Sequence, residues 1–307
     1  MVASGPQRYP GASSAYWYEG VYPGDRQEVN VLVIHTTEGT NLDGYQGGAV
    51  APNLTAVPDF ANKKLKWYQH FYIDTSARAL RNLSGGVQTN TNNVTQVELV
   101  GTCDPATHAK WEKSGTKHIY WPEAPEWALE ELAKFVAWLN VNHDVPLEGP
   151  KVWRSYPDSY GANDSRFTFN EWNEFKGICG HQHVPENDHG DPGSLDFAEL
   201  VKLAKAIVNP PKDDEPTPPT KPAVTYYAYP GEKFFVDGKK SPTIAAMHKR
   251  LVAVGCDKYK SNTNIDVWGS GDEASYKAWQ IKLGYKGDDA DGIPGKVSWD
   301  KLKVPKG

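Results

Sequence analysis

A proline-rich segment at residues 209–223, NPPKDDEPTPPTKPA, limits the architecture of this chain more than any other feature. Six of its fifteen residues are proline, and almost none of the others could be buried. This composition favours an extended, semi-rigid linker over a packed element. We therefore predict two domains, one at residues 1–208 and one at residues 224–307, separated by a linker at residues 209–223.

Composition excludes several classes of protein. No stretch approaches the ~18 consecutive apolar residues of a membrane span, so we expect no membrane insertion. The first twenty residues lack the charged-then-apolar order of a secretory signal, so we expect synthesis in a cytoplasm without a signal peptide. No Lys/Arg run is dense enough to indicate nucleic-acid binding. Residues 223–307 carry 14 Lys+Arg against 10 Asp+Glu, which mildly favours an anionic polymer as partner.

The cysteines number only three, Cys103, Cys179 and Cys256, and are widely spaced. They are too few for a disulfide scaffold or a cysteine-rich metal site, and we interpret them as reduced or buried thiols.

Strand-like and helix-like patterns alternate in the first 208 residues. Strand-like composition occurs at residues 31–35, 66–74 and 94–101. Apolar residues recur at helical spacing over 125–141 and 194–208, the second with Ser194 as a candidate cap. Strands interspersed with helices predict an α/β domain with a central, mixed sheet flanked by helices.

Potential metal ligands concentrate in GHQHVPENDHGDPG at residues 180–193, which holds His181, His183, His189 and Asp191. Three histidines within nine positions of a Gly- and Pro-bounded loop are difficult to explain by packing. Catalytic zinc usually takes three N or O ligands from the protein and leaves a fourth position to water. A ligand from elsewhere in the chain is then needed, and His35, at the end of an apolar strand, is the best candidate.

Four segments together resemble a known family: VLVIHTTEG, YQHFYID, NNVTQVELVG and GICGHQHVPENDHGDPG. They resemble the zinc-dependent N-acetylmuramoyl-L-alanine amidases of the type-2 amidase and peptidoglycan-recognition fold, especially those in phage endolysins of actinobacterial hosts. The resemblance covers most of residues 30–208. It implies a zinc enzyme that cleaves the amide between N-acetylmuramic acid and L-alanine in bacterial peptidoglycan. It also implies release to the cell wall during host lysis, and we expect a monomer.

The resemblance also implies a role for each site residue. Zinc would be bound by His35, His181 and Asp191, with His183 as the alternative ligand. Glu98 matches the general base of the family. Some members instead use a strand Tyr, where this chain has Gln69. Family members often carry a Lys two residues before the last ligand, where His189 would here stabilise the developing oxyanion.

The other histidines are less informative. His70 could line the cleft or be an ordinary sheet-face histidine. His108, His118 and His143 lack ligand spacing in the sequence, and we interpret them as surface residues.

Residues 224–307 contain DGIPGKVSW, which resembles the D-G-x-x-G-x-x-[ST]-W element of the type-1 peptidoglycan-binding domain, a small three-helix module. We predict a mainly α-helical domain with helices at 242–254 and 272–283. A third would begin at Ser298 and turn Trp299 and Leu302 to the core.

Two alternatives remain at this stage. A non-catalytic recognition protein of the same fold would bind wall fragments without hydrolysis, but such proteins typically lack a ligand and this chain has all three. A zinc peptidase would cut within the stem peptide, but no H-E-x-x-H helix is present.

Overall fold

The computed structural model describes residues 5–210, 226–261 and 263–306. The chain divides into two compact units, Met1–Asp213 and Asp214–Gly307. Most of the predicted linker, residues 211–223, lies outside the described residues. The assignment of separate functions to residues 1–208 and 224–307 stays a prediction.

The first unit is built on a five-stranded sheet flanked by helices. Its strands are β1 (Val31–Thr36), β2 (Leu54–Asp59), β3 (Lys64–Gln69), β4 (Val94–Leu99) and β5 (Gly177–Gly180). Its helices are α1 (Pro105–Ser114), α2 (Glu126–His143), α3 (Phe169–Glu174) and α4 (Phe197–Val208). The strand order is β3-β2-β4-β1-β5, with β2 and β3 antiparallel and the other pairs parallel. The predicted mixed α/β fold is confirmed.

Alternation along the strands separates an apolar face of the sheet from a mixed one. Leu32, Ile34, Val97 and Leu99 join the main core, to which α2 and α4 contribute their buried residues. Val31 and Val33 belong to a smaller cluster on the opposite face. His35 follows Val33 by two positions and therefore points to that second face.

Two predicted boundaries were wrong. The strand expected at 66–74 ends at Gln69, because its partner β2 begins at Leu54, directly opposite Gln69. The last helix of the unit is capped by Asp196 rather than Ser194. The Asp196 carboxylate accepts a hydrogen bond from the Glu199 N–H at 3.0 Å.

In the part that the structure describes, the second unit contains three α-helices, α5 (Pro242–Ala253), α6 (Ser270–Lys282) and α7 (Lys296–Leu302). Trp299 and Leu302 are buried as predicted. The third helix begins at Lys296, earlier than expected, because Ser298 accepts the Gly295 N–H from inside the first turn at 3.3 Å. Gly292, at φ 91°, forms the tight turn and donates its N–H to Gln280 at 2.6 Å.

All three cysteines are unpaired and buried. Within the described ranges, no helix combines the length and apolar character needed to cross a membrane.

Candidate active site and metal centre

The site lies at the carboxyl ends of two parallel neighbours, β1 and β5. Ile34 pairs with Gly180, so His35 and His181, the next residues of each segment, lie side by side at this edge. The carboxyl edge of parallel strands is the usual position of sites in α/β folds. The sheet therefore places two of the predicted ligands next to each other.

Asp191 completes a cluster of three buried donors with His35 and His181. The Nδ1 atoms of the two histidines are 3.0 Å apart. The Asp191 carboxylate lies 3.2 Å from His181 Nδ1 and 3.7 Å from His35 Nδ1. One donor atom from each of the three residues thus lies close to the other two.

These separations suit a tetrahedral ion. Zinc bonds of about 2.0–2.1 Å place neighbouring donors roughly 3.3 Å apart, close to the separations in this cluster. Two imidazoles and one carboxylate are also a donor set that zinc accepts while leaving one position open. The cluster fits a catalytic metal ion.

Hydrogen bonds orient two of the donors. His181 Nε2 lies 3.0 Å from Asn187 Oδ1; because that oxygen can only accept, Nε2 carries a proton, and Nδ1 is the ring nitrogen that faces the cluster. Asp191 accepts the Thr36 N–H at 3.0 Å. Metal ligands are commonly fixed by such outer partners. Asn187 was not identified from the sequence. A ligating histidine needs a hydrogen-bond acceptor, however, and Asn187 lies in the same segment as His181.

The protonation states suit metal binding. Burial, reinforced by the neighbouring His181, lowers the pKa of His35 to about 3, so its ring is neutral at pH 7. Burial alone would raise the pKa of Asp191, but His181, His35 and the Thr36 N–H hold it below its usual range. A neutral imidazole and an ionised carboxylate are the forms that bind metals.

Close backbone approach assembles the loop that carries Asp191. A Cβ on Gly180 would lie 2.6 Å from Pro192, and one on Gly190 would lie 2.4 Å from Ser159 Oγ. Larger residues would push these segments apart.

Arg166 stabilises the loop that carries Asp191 through hydrogen bonds to its backbone. Its guanidinium donates to the carbonyl oxygen of Val184 at 2.6 Å and to that of His189 at 3.2 Å. Arg166 could not be identified from the sequence, because its partners are backbone atoms distant along the chain.

His183 is excluded from the cluster by its own hydrogen bonds. Its Nδ1 accepts the Gly180 N–H at 3.0 Å, and its Nε2–H donates to the Val152 carbonyl at 2.8 Å. Both ring nitrogens are thus engaged with backbone, which favours His181 over His183 as the ligand from this segment.

Glu98 lies beside His35 across the sheet, because the two are paired in the β1–β4 register. Its Oε2 atom is buried and has no hydrogen-bond partner among the described residues. Burial raises the pKa of Glu98 well above its usual value, and the negative charges of Asp191 and Glu38 add to the shift. In its ionised form, a carboxylate with a raised pKa is a stronger proton acceptor than an ordinary one.

Thr55 borders Glu98 on the other side, in the β2–β4 register. Its hydroxyl lies 2.7 Å from the Tyr45 hydroxyl and 2.9 Å from His70 Nε2. His70 is buried, with Nδ1 2.8 Å from the Tyr16 carbonyl oxygen. His70 therefore helps to hold Thr55 in place next to Glu98. Gln69 donates its side-chain amide to the Gln7 and Phe71 carbonyls.

His189 stands at the exposed rim of the cluster. Its ring stacks on His181 with centroids 4.8 Å apart, and its Nδ1 lies 3.8 Å from the Asp191 carboxylate. Partial burial and the neighbouring His181 lower the pKa of His189. The ring therefore borders the cluster of His35, His181 and Asp191 on its solvent side.

The remaining histidines differ from expectation. His143 is buried, not on the surface, with Nδ1 3.3 Å from the Asp74 carboxylate. His108 and His118 are half-buried and lie in contact, Nδ1 to Nε2, at 2.8 Å.

Comparison with known proteins adds little. No family model and no curated protein matches the chain. The crystal structure of AmpDH3 from Pseudomonas aeruginosa is similar at 11% identity and a TM-score of 0.33, covering 97% of this chain and 96% of that one. The same protein in complex with anhydromuramic pentapeptide gives the same identity and TM-score, with both chains covered completely. A likeness this low transfers no activity to the chain.

Proposed function

We propose that this chain is a zinc-dependent N-acetylmuramoyl-L-alanine amidase that cleaves peptidoglycan. The observation that carries the proposal is the convergence of His35, His181 and Asp191 beside Glu98. Each of these residues comes from a segment whose sequence resembles the amidases.

Zinc bound by these three residues would polarise the scissile carbonyl and lower the pKa of a coordinated water. Asp191 and the imidazoles of His35 and His181 would hold the ion. Asn187 and the Thr36 N–H keep their donor atoms aimed at it.

Glu98 acts as the general base and then as the general acid. Its unpartnered oxygen takes a proton from the attacking water and returns it to the leaving alanine nitrogen, which departs as an amine. No ligand role is needed for Glu98, since three donors are already supplied.

His189 stabilises the carbonyl oxygen as negative charge develops on it. Its exposed ring at the rim is free to turn toward substrate, and a hydrogen bond to such an oxygen is stronger in the transition state than in the ground state. This imidazole replaces the Lys that many amidases carry.

The unit at residues 224–307 is proposed to bind the wall and hold the catalytic unit near its substrate. The support is the packing of its α-helices around the DGIPGKVSW segment. Gln280 of α6 hydrogen-bonds Asp291 and Gly292 in that segment. From the resemblance to phage endolysins we further propose that the enzyme serves host lysis, as a monomer that reaches the wall after release.

The proposal is tested by metal removal and return. Chelation should abolish the loss of turbidity of purified cell walls, and stoichiometric Zn²⁺ should restore it. His35→Ala should fail to recover, because two protein ligands rarely retain catalytic zinc. Full activity in metal-free protein would reject a metal enzyme. Zinc binding and wall binding without any lysis would indicate a recognition protein instead.

A further inference from the structure

A second group of metal-binding side chains lies on and after α1, outside the proposed active site. His108, Glu112 and His118 each direct one donor atom to a common point, with all three atoms within 4.8 Å of one another. His108 and Glu112 are four residues apart on one helix, so they share a face. Such i, i+4 pairs are a common way for a helix to hold a transition metal.

The chain reversal after α1 brings the third residue back to that face. Gly115 adopts φ 69° and donates its N–H to the Glu112 carbonyl at 3.1 Å. Thr116 donates its N–H to the Trp111 carbonyl at 2.9 Å, which completes a glycine-terminated helix end. This turn at Gly115 reverses the chain and brings His118 back beside His108.

The tautomer of His118 is set by the same turn. Its Nδ1 lies 2.7 Å from the Thr116 carbonyl oxygen, which can only accept, so Nδ1 carries the proton. The lone pair of Nε2 then points at His108 Nδ1, 2.8 Å away. A backbone carbonyl that fixes a histidine in this way is typical of metal ligands.

Aromatic residues hold both rings in place. Tyr120 stacks on His108 with centroids 4.4 Å apart, and Trp111 meets His118 edge-on at 5.1 Å. Glu112 remains exposed and the histidines are half-buried, so an ion can enter from solvent. The donors are thus both preorganised and accessible.

We propose that His108, Glu112 and His118 form a second site for a divalent transition-metal ion that prefers imidazole, with Zn²⁺ as the ion to test. An ion bound there would take one lone pair from each ring, with the His108 proton on Nε2 instead of Nδ1, and Glu112 would supply one negative charge. The ion would fasten α1 to the segment that follows it. This site is independent of the proposed catalytic function.

Metal content of full-length variants tests the proposal. After dialysis against buffered Zn²⁺, we expect two ions per chain in the unaltered protein and one in the His108→Ala/His118→Ala double variant. His35→Ala should also retain one, and the combined triple variant none. A double variant that binds as much zinc as the parent protein would overturn the second site. Loss of one ion in His35→Ala bears only on the catalytic proposal, whereas loss of both ions in that variant would contradict the second site.

Thermal melting provides a readout that does not depend on activity. In a His35→Ala background, added Zn²⁺ should raise the Tm, because an ion that binds only the folded chain stabilises it. The rise should disappear when His108 and His118 are also replaced. Glu112→Gln should reduce it, whereas the neighbouring exposed Lys113→Gln should not. An equal rise in every variant would contradict the assignment.

Discussion

His181 donates its Nε2–H to Asn187 Oδ1 over 3.0 Å, and so presents Nδ1 to His35 and Asp191. The same Asn187 oxygen accepts the Arg81 N–H at 2.9 Å, which anchors the amide on the loop. The orientation of a proposed zinc ligand therefore depends on a residue that never touches the ion.

Asn187→Ala should weaken zinc binding by about 10–100-fold, the usual cost of losing such an outer partner. Asn187→Asp keeps an acceptor of the same shape and should retain most of the affinity. A competitive chelator titration measures both. Equal affinities in the alanine variant and the parent would show that the hydrogen bond does not support the metal.

Glu98→Gln should reduce turnover by about 10²–10⁴-fold with unchanged zinc content, because it removes a proton acceptor and keeps the shape. Glu130→Gln, on the exposed side of α2, is the control and should be silent. Near-normal turnover in Glu98→Gln would assign the base role to another residue, with His189 or His70 the next to test.

His189→Ala should lower kcat by about 10²-fold without changing zinc content, since it removes one donor to the developing oxyanion. His189→Lys should recover much of the rate, because a Lys can make the same contact. Steady-state kinetics on soluble muropeptides gives the comparison. An alanine variant with a normal kcat would exclude the oxyanion role.

The free energy of unfolding should depend on pH because His70 is protonated more readily in the unfolded chain. Burial lowers the pKa of His70 to about 4, partly offset by its hydrogen bond to Tyr16. The neutral ring therefore favours the folded state above the unfolded pKa of about 6.5, and this stabilisation is lost as pH falls toward 4. Between pH 7 and pH 5 the loss should be about 2 kcal/mol.

His70→Gln removes that titration, so its free energy of unfolding should fall less between pH 7 and pH 5 than that of the parent protein. Urea denaturation at the two pH values measures the difference, which is unaffected by any uniform destabilisation. Identical pH slopes would mean that His70 titrates alike in the folded and unfolded chains.

The sequence predicted the fold class because β1, β4 and α2 have clear apolar periodicity. It missed β2 and β5. Pro58 interrupts the first, and the second is only GICG, which has two apolar side chains. The adjacency of His35 and His181 follows from the β1–β5 pairing, so it could be inferred only through the resemblance.

The second histidine cluster shows a different limit. The spacing of His108 and Glu112 is visible in the sequence, but His118 joins them only because Gly115 ends the helix in a left-handed turn. Asn187 and Arg166 were also missed, since their role depends on a loop conformation that no periodicity encodes. Local sequence patterns predict helices and strands, whereas a site depends on how loops bring distant residues together.

The most direct test of the central claim is mass spectrometry of the fragments that the zinc-loaded protein releases from purified peptidoglycan. Cleavage at the sugar–peptide amide should give stem peptides with a free L-alanine amino terminus and leave glycan strands with unsubstituted muramic acid. His35→Ala should release neither. New termini within the stem peptide, with alanine still joined to muramic acid, would contradict the amidase assignment.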